Sequence, residues 1–330
     1  MTTIADLTER ELVARIQRQL PHAPDWLLVG IGDDAAVVEP MRQRVEVLTV
    51  DALVEGVHFE RAFVPPDAIG HRALAVNLSD LAAMGASPRL ALLSMALPSS
   101  VSVADFDAIV DGFARLAAEH RMHVVGGNLT RSPGPMMIDV TVMGTAKRRQ
   151  VLTRAGARTG DELYVSGTLG SAAAGLRLLR GNVDADRSEL TQSYLRPRPR
   201  VRLGILLARN RAASACVDLS DGLADGLQRI AEASGVGIIV DAAALPIDAG
   251  ARAIFDAAGV DAIGESMKAD DYELLVAVHP RARRRFIAAA RQAGATLTKI
   301  GICTEDRAIV VRGGAEASET PVPAGYSHFR

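Results

Sequence analysis

Strand-like and helix-like patterns alternate in both halves of this 330-residue chain, and that alternation constrains the fold most. VEVLTVD at residues 45–51 alternates apolar and polar side chains and is typical of a strand that ends on an acid. A helical pattern follows at 67–84, and RLALLSMAL at 89–97 alternates again. A second helix and strand complete the half near residue 146. The order predicts an α/β fold with mixed strands and helices.

A basic, turn-rich stretch, KRRQVLTRAGARTGD at residues 147–161, separates this half from a second one. The second half again mixes strand patterns, such as VGIIVDA at 236–242, with helices, the last at about 280–293. It also contains LRPRPR at 195–200, where the prolines exclude a continuous helix. The length predicts two domains, which we place at residues 1–150 and 151–330.

Composition limits the partners and the compartment. The chain has 37 Lys and Arg against 39 Asp and Glu, so its net charge of -2 implies no nucleic-acid partner. The only two cysteines, Cys216 and Cys303, form neither a disulfide framework nor a CxxC metal site. The N-terminal residues lack the pattern of a secretory signal, and the longest uncharged stretch is too short to span a bilayer. We therefore expect a soluble cytoplasmic protein without membrane contact.

Acidic residues recur where the chain is expected to turn, and they indicate the chemistry. The set comprises Asp33, Asp34, Asp51, Asp80, Asp218 and Asp221. Clustered carboxylates raise one another's pKa, so at neutral pH they are tolerated only where cations such as Mg²⁺ are shared among them. A polyanionic substrate would bind to such metals. The alternative is that each Asp is a helix cap or a turn residue.

Several motifs of other phosphate-binding or catalytic sites are missing. None of the three lysines follows a glycine, so a P-loop is excluded, and the protein-kinase signatures are absent too. No G-x-S-x-G sequence is present to carry a hydrolase nucleophile. His120 and His123 have a spacing that favours a helix end over a metal site. Phosphate binding would therefore depend on the acids and their metals.

Seven motifs follow one another along nearly the whole chain: GIGDDAAVV at 30–38, VDALVEGVHF at 50–59, ALAVNLSDLAAMGASP at 73–88, LTRAGARTGDELYVSGTLGSAAAGL at 152–176, VDLSDGLADGL at 217–227, DDYELL at 270–275 and GYSHF at 325–329. Together they resemble the thiamine-monophosphate kinase family. DLSDGL alone is shared with the wider superfamily of aminoimidazole ribonucleotide synthetase, selenophosphate synthetase and the hydrogenase maturation ATPase. VEGVHF, DYEL and GYSHF in combination indicate the thiamine enzyme.

The resemblance implies a two-domain fold like that of aminoimidazole ribonucleotide synthetase, in a homodimer whose N-terminal domains join their sheets. It implies transfer of the ATP γ-phosphoryl group to thiamine monophosphate, which yields thiamine diphosphate and ADP. The reaction needs several Mg²⁺ ions and no side chain acting as a covalent or acid-base catalyst, because positioning and charge neutralisation carry phosphoryl transfer. The N-terminal domain would bind metal and ATP and form the dimer.

The resemblance also assigns residues. The metal ligands fall on Asp34, Thr49, Asp51, Asp80, Asn128, Asp218 and Asp221. The ATP contacts fall on Gly127, Asn128, Arg154 and Ser220. Thiamine monophosphate is expected near His58, Asp270 and Tyr326, where the tyrosine ring can stack on a cationic heteroaromatic ring.

The chain departs from the family pattern at Asn128, where the family usually has an aspartate after two glycines. An amide oxygen can bind Mg²⁺ but contributes no charge, so we expect a weakened metal site. Asn128→Asp should lower the Mg²⁺ concentration that gives half the maximal rate. Rates measured over a Mg²⁺ titration check this, and an unchanged requirement would count against a ligand role for Asn128.

Two further departures leave alternatives open. Val50 occupies a position where the family often has Thr, which would remove a possible ligand, and KADD at 268–271 replaces GGED, which shortens the acid at Asp270. These changes permit a related ATP-dependent synthetase or ligase that acts on another small substrate. A third alternative is a nucleotide-binding protein without turnover, acting as a sensor or scaffold.

Overall fold

A computed structural model describes residues 2–181, 189–313 and 318–323. The chain forms two compact units. The first consists of Met1–Leu78 and Ser87–Lys147, and the second of Ser79–Ala86 and Arg148–Arg330. Each unit contains a sheet and helices, which confirms the predicted mixed α/β fold. None of the helices within the described ranges is both long and apolar enough to cross a membrane.

The first unit is built on a four-stranded sheet. Its elements are α1 (Glu9–Gln19), β1 (Leu27–Val29), β2 (Val37–Val38), β3 (Val45–Val54), the start of α2 (Pro66–Ala83), β4 (Ser87–Pro98), α3 (Val103–Glu119), β5 (His123–Ser132) and β6 (Met137–Ala146). The sheet order is β3-β6-β4-β5, so β3 and β5 are its edge strands. Only β4 and β5 pair in parallel, and β1 pairs with β2 in a separate ribbon.

Local sequence explains where α1 begins and how it packs. The Thr8 hydroxyl accepts a hydrogen bond from the Glu11 backbone N–H, and the Glu11 carboxylate accepts one from the Thr8 backbone N–H at 2.7 Å. This capping box satisfies N–H groups that the first turn leaves without helical partners. Leu12 and Ile16 lie on one helical face and are buried, while Arg15 pairs with Asp107 of α3.

Two glycines allow α2 and α3 to approach closely. A methyl group on Gly70 would lie 1.8 Å from the Ile109 carbonyl oxygen, and one on Gly112 would lie 1.9 Å from the Asp67 carbonyl oxygen. Real contacts are never that short, so the backbones touch where both side chains are absent.

We expect Gly112→Ala to destabilise the protein by about 2 to 3 kcal/mol, because the helices must separate to admit the methyl group. Gly134→Ala is the matched control, since a methyl group there has no neighbour within 4 Å, and its effect should stay within about 0.5 kcal/mol. Urea unfolding measures both. Equal stabilities of the two variants would show that the helices tolerate the added group.

The second unit is built on a seven-stranded sheet. Its elements are β7 (Glu162–Ser166), α4 (Ser171–Arg180), α5 (Glu189–Leu195), α6 (Val201–Arg209), β8 (Ala215–Asp218), α7 (Gly222–Ser234), β9 (Gly237–Asp241), α8 (Ala249–Ala257), α9 (Ala262–Met267), β10 (Leu274–Val278), α10 (Arg283–Ala293), β11 (Leu297–Thr304), β12 (Ile309–Gly313) and β13 (Ser318–Pro321). The order is β13-β12-β9-β11-β7-β10-β8, antiparallel except between β9 and β12. The predicted helix break at the prolines is confirmed between α5 and α6.

The structure corrects one strand boundary that bears on the site. The sequence pattern predicted that the strand ends at Asp51, but β3 continues to Val54. Ala52, Leu53 and Val54 pair with β6 in register, and Leu53 is buried, so the alternation persists for three more residues. Asp51 therefore lies inside an edge strand and not at its mouth.

Candidate functional site

Asp218 is the most buried of the predicted site acids in the second unit. It is the last residue of β8, and its side chain is largely enclosed, with 5% of the residue exposed. The Ser79 hydroxyl donates a hydrogen bond to its Oδ2 at 2.8 Å. The carboxylate is therefore held in one orientation at the end of its strand. Sequence reasoning missed Ser79, although it precedes the predicted ligand Asp80.

The ionisation of Asp218 shows that a second acid is close. Burial and, to a smaller extent, the negative charge of Asp80 raise the pKa of Asp218 to about 7, against the Ser79 hydrogen bond and the positive charge of Arg154. Two carboxylates that oppose each other's ionisation are stable together at neutral pH when one keeps its proton or when both share a cation. The acids predicted at residues 80 and 218 are thus neighbours in this unit.

The turn after Asp218 carries Ser220 and Asp221 to the start of α7. Asp221 is the N-cap residue, but its side chain makes no capping hydrogen bond. Its Oδ2 instead lies 3.2 Å from Nη2 of Arg229, which also pairs with Asp225. The alternative that Asp221 is a helix cap is therefore wrong for its side chain. An arginine two turns along the helix provides a stronger partner for the carboxylate.

Arg154 lies beside β8. The Cys216 N–H donates to the Thr153 carbonyl oxygen at 2.9 Å, which aligns the chain before Arg154 with the strand that ends at Asp218. The Arg154 residue is exposed, and its charge acts on Asp218. A guanidinium beside paired carboxylates can bind a phosphate bidentately while the acids hold its metal.

Backbone hydrogen bonds bring the predicted substrate segment to the same place. The Leu219 N–H donates to the Glu273 carbonyl at 2.8 Å, and the Tyr272 N–H donates to the Leu219 carbonyl at 3.2 Å. Tyr272 has a φ of 52°, a left-handed conformation that costs energy for a residue with a side chain. Asp270 is therefore held beside the turn that contains Asp218, Ser220 and Asp221.

Gly222 permits this approach. Its φ is 90°, and a methyl group on it would lie 2.5 Å from the Met267 carbonyl oxygen and 2.7 Å from the carbonyl carbon of Lys268. The first residue of α7 thus abuts the chain that leads to Asp270. A larger residue at this position would displace one of the two segments.

Two buried acids flank Tyr272, and both hold other parts of the unit. Asp271 accepts hydrogen bonds from the Gly170 and Ala172 N–H groups at 2.6 and 2.9 Å, at the start of α4, and burial raises its pKa to about 7. Glu273 accepts hydrogen bonds from Ser166 and pairs with Arg200. Both acids lie just before the apolar strand residues that begin at Leu274. That position was a signal for buried acids, and sequence reasoning did not use it.

In the first unit, β3 presents Thr49 and Asp51 on one face. Both are partly buried, whereas Val50 between them is 56% exposed on the opposite face. Successive strand residues point to opposite sides of a sheet, so a hydroxyl at position 50 would not join the other two. The Val50 departure therefore removes no ligand from the face that carries Asp51.

Gly127 and Asn128 lie on β5, the opposite edge of the sheet from β3. Three strand steps separate them from Asp51, or about 14 Å at the usual strand spacing. Register also places Gly127 in the row of Asp51, and Asn128 in the next row with Ser94 and Asp139. Within this unit, the structure does not bring Asn128 and Asp51 together.

The remaining predicted residues of the first unit lie in turns. Asp34 is exposed after Gly32, and its N–H donates to the Asp33 carboxylate at 2.8 Å. His58 is half-buried, and its Nδ1 accepts the Val54 N–H at 3.0 Å, so a neutral ring carries its proton on Nε2. Tyr326 lies outside the described residues. Within those residues, no three His, Cys, Asp or Glu side chains form a group able to hold a metal ion.

Comparison with known proteins defines the class of this fold and site. Residues 32–146 match the family of AIR synthase related proteins over its N-terminal domain, and residues 158–314 match its C-terminal domain. Both matches together cover most of the chain, so both domains of that class are present.

Three similar proteins show which family of this class the chain belongs to. A thiamine-monophosphate kinase of Salmonella typhimurium is 38% identical over 90% of this chain and 91% of its own. The crystal structure of the thiamine-monophosphate kinase from Stenotrophomonas maltophilia has a TM-score of 0.83 at 40% identity, over 94% of this chain and 98% of the other. AaThiL in complex with AMPPCP and TMP has a TM-score of 0.77 at 31% identity, over 100% of this chain and 99% of the other. The chain belongs to the thiamine-monophosphate kinase family, which confirms the resemblance of its motifs.

Proposed function

We propose that this protein transfers the γ-phosphoryl group of ATP to thiamine monophosphate and releases thiamine diphosphate and ADP. Family membership supports the reaction, and the relative that binds both AMPPCP and TMP supports the pair of substrates. The observation in this chain that carries the proposal is the pair of repelling acids, Asp80 and buried Asp218, beside the D-L-S-D-G turn. The cytoplasm is the proposed location, in keeping with two buried free cysteines.

The acids are suited to Mg²⁺. Carboxylate and hydroxyl oxygens are the donors that this ion prefers, and burial with the charge of Asp80 raises the pKa of Asp218, which a bound cation would lower. We assign the metal sites to Asp34, Thr49, Asp51, Asp80, Asn128, Asp218 and Asp221. Bound Mg²⁺ would neutralise charge on the ATP phosphates.

The side chains of this protein would then orient the reactants. Arg154 and Ser220, with Gly127 and Asn128 of the first unit, bind the nucleotide. Asp270, His58 and Tyr326 hold thiamine monophosphate, whose phosphate oxygen attacks the γ-phosphorus in line. A phosphate oxygen is already an anion at neutral pH, so no general base is needed.

A single incubation distinguishes this function from its alternatives. The protein, ATP, Mg²⁺ and thiamine monophosphate are combined, and the products are separated by chromatography. We expect thiamine diphosphate and ADP in equal amounts. ADP formed only with a different small acceptor would indicate a related synthetase or ligase. Bound nucleotide without any ADP would indicate a sensor or scaffold.

The first unit is the proposed dimerisation domain. One face of its sheet carries exposed apolar side chains: Leu48, Val50, Leu92 and Met137. Val50 and Leu92 both pair with Thr141, so they lie in one row across the strands. A soluble monomer rarely leaves such a cluster in water, and a second copy of the chain would cover it.

We expect the double variant Leu48→Lys, Val50→Lys to be a monomer, because two buried charges in the interface would be unpaired. Size-exclusion chromatography with light scattering measures the mass. Ile287→Lys, at an exposed apolar position on α10 in the second unit, is the control and should remain a dimer. A double variant that stays dimeric would exclude this face as the interface.

A further inference from the structure

The first unit contains a cavity that the proposed reaction does not use. Its volume is about 430 Å³, within the range of small-molecule sites. The residues that matter for its chemistry are Trp26, Glu39, Arg42, Arg89, Arg121 and His123. None of them belongs to the acids, the glycine pair or the turns assigned above.

The cavity lining is positively charged. Three arginines line it against one carboxylate, that of Glu39. Arg42 and Arg121 are exposed residues, so their guanidinium groups are free to adjust to a ligand. Guanidinium groups bind phosphate through paired, charge-assisted hydrogen bonds. The lining therefore favours an anion.

Arg89 adds a buried positive charge that the described protein groups only partly satisfy. It is 7% exposed and donates to the Glu39 carbonyl oxygen through Nη2. Nη1 is buried and has no hydrogen-bond partner among the described residues. Because Nη1 is enclosed, it donates to no ligand itself, but the buried positive charge of Arg89 attracts an anion into the adjoining cavity.

Trp26 adds an aromatic ring to the lining of the same cavity, with the Arg89 guanidinium over one face, so a ligand ring would use the part of the ring that Arg89 leaves uncovered. The Arg89 guanidinium carbon lies 4.5 Å from its ring centroid, and His123 contacts the ring edge at a centroid distance of 5.5 Å. These contacts fix the ring in place. A planar ring of a ligand can stack on such a surface, as nucleobases do on aromatic side chains.

We propose that this cavity binds a nucleoside monophosphate, with its phosphate on Arg42 and Arg121 and its base against Trp26. Volume, charge and the fixed ring together favour this class over a purely apolar or a cationic ligand. The cavity shares no lining residue with those assigned to phosphoryl transfer.

The single tryptophan of the chain makes the site directly measurable, because all tryptophan fluorescence comes from Trp26. Full-length protein is titrated with uridine monophosphate, and the emission is followed. We expect a saturable change with uridine monophosphate and none with uridine, since the phosphate supplies the charged contacts. Inorganic phosphate should compete.

Arginine variants separate binding in the cavity from other effects. The double variant Arg42→Gln, Arg121→Gln should bind uridine monophosphate with an affinity lower by at least about tenfold. Arg10→Gln removes an exposed arginine elsewhere in the first unit and should leave the affinity unchanged. Formation of thiamine diphosphate by the double variant should stay within about twofold of wild type. Unchanged emission, equal affinity of the double variant and wild type, or loss of turnover in the double variant would each overturn the proposal.

Discussion

Asp218→Asn is expected to reduce the rate of thiamine diphosphate formation by at least about a thousandfold, because charge neutralisation around the phosphates supplies most of the catalysis in phosphoryl transfer. The amide keeps the shape of the side chain and can still accept the Ser79 hydrogen bond. Only the negative charge is lost. Asp256→Asn, on the exposed side of α8, is the control and should keep the wild-type rate. If the Asp218→Asn enzyme formed thiamine diphosphate at a rate within tenfold of the wild-type rate, Asp218 would have no role as a metal ligand.

The same substitution should stabilise the metal-free protein. The pKa of Asp218 rises in the folded state from an ordinary value of 3.8 to about 7, so the folded protein binds this proton more tightly than the unfolded chain does. Stability is therefore lost as pH rises from about 4 to 7 and stays low above that. Thermal unfolding without Mg²⁺ should show a higher Tm for the variant at pH 8 and little difference at pH 4. A lower Tm of the variant at pH 8 would show that the charged carboxylate is compensated by the protein alone.

The second large effect concerns stability. Arg200→Met should lower the free energy of unfolding by about 2 to 3 kcal/mol, because Glu273 is left as a buried acid without its cation. The loss of stability is smaller than for a fully buried ion pair, because the Arg200 side chain is 33% exposed to solvent. The Glu273 side chain is only 5% exposed. Burial raises the pKa of Glu273 despite Arg200, and loss of the guanidinium should raise it further.

Two further variants make the measurement specific. Glu273→Gln added to Arg200→Met should recover much of the lost stability, because no buried charge remains to be compensated. Arg202→Met, at an exposed position in the first turn of α6, should change the stability by less than about 0.5 kcal/mol. Denaturant unfolding at pH 7 gives all three values. If Arg200→Met and Arg202→Met had the same free energy of unfolding, the Arg200–Glu273 ion pair would contribute nothing to stability.

Periodicity predicted the fold well where one face of an element is buried. The pattern at 89–97 became β4, and the helix predicted at about 280–293 became α10. The end of β3 was missed because an acid in a strand looks like a terminus, whereas pairing with β6 continues past Asp51. Local sequence cannot show how many residues a neighbouring strand will pair.

Proximity in the candidate site was only partly predictable. The D-L-S-D-G turn indicated Asp218 and Asp221 because strand ends and helix starts adjoin. The Ser79 contact spans 139 positions and the Glu273 to Arg200 pair spans 73, so no local spacing reports them. Asn128 and Asp51 were placed in one set by resemblance alone, and sheet order puts them on opposite edges.

A crystal structure with AMPPCP, thiamine monophosphate and Mn²⁺, with anomalous scattering recorded from the metal, determines whether Asp80 and Asp218 bind the metal of the nucleotide. We expect an anomalous peak within about 2.2 Å of carboxylate oxygens of both Asp80 and Asp218 and next to the nucleotide phosphates. A bound nucleotide whose metals contact neither acid would contradict it.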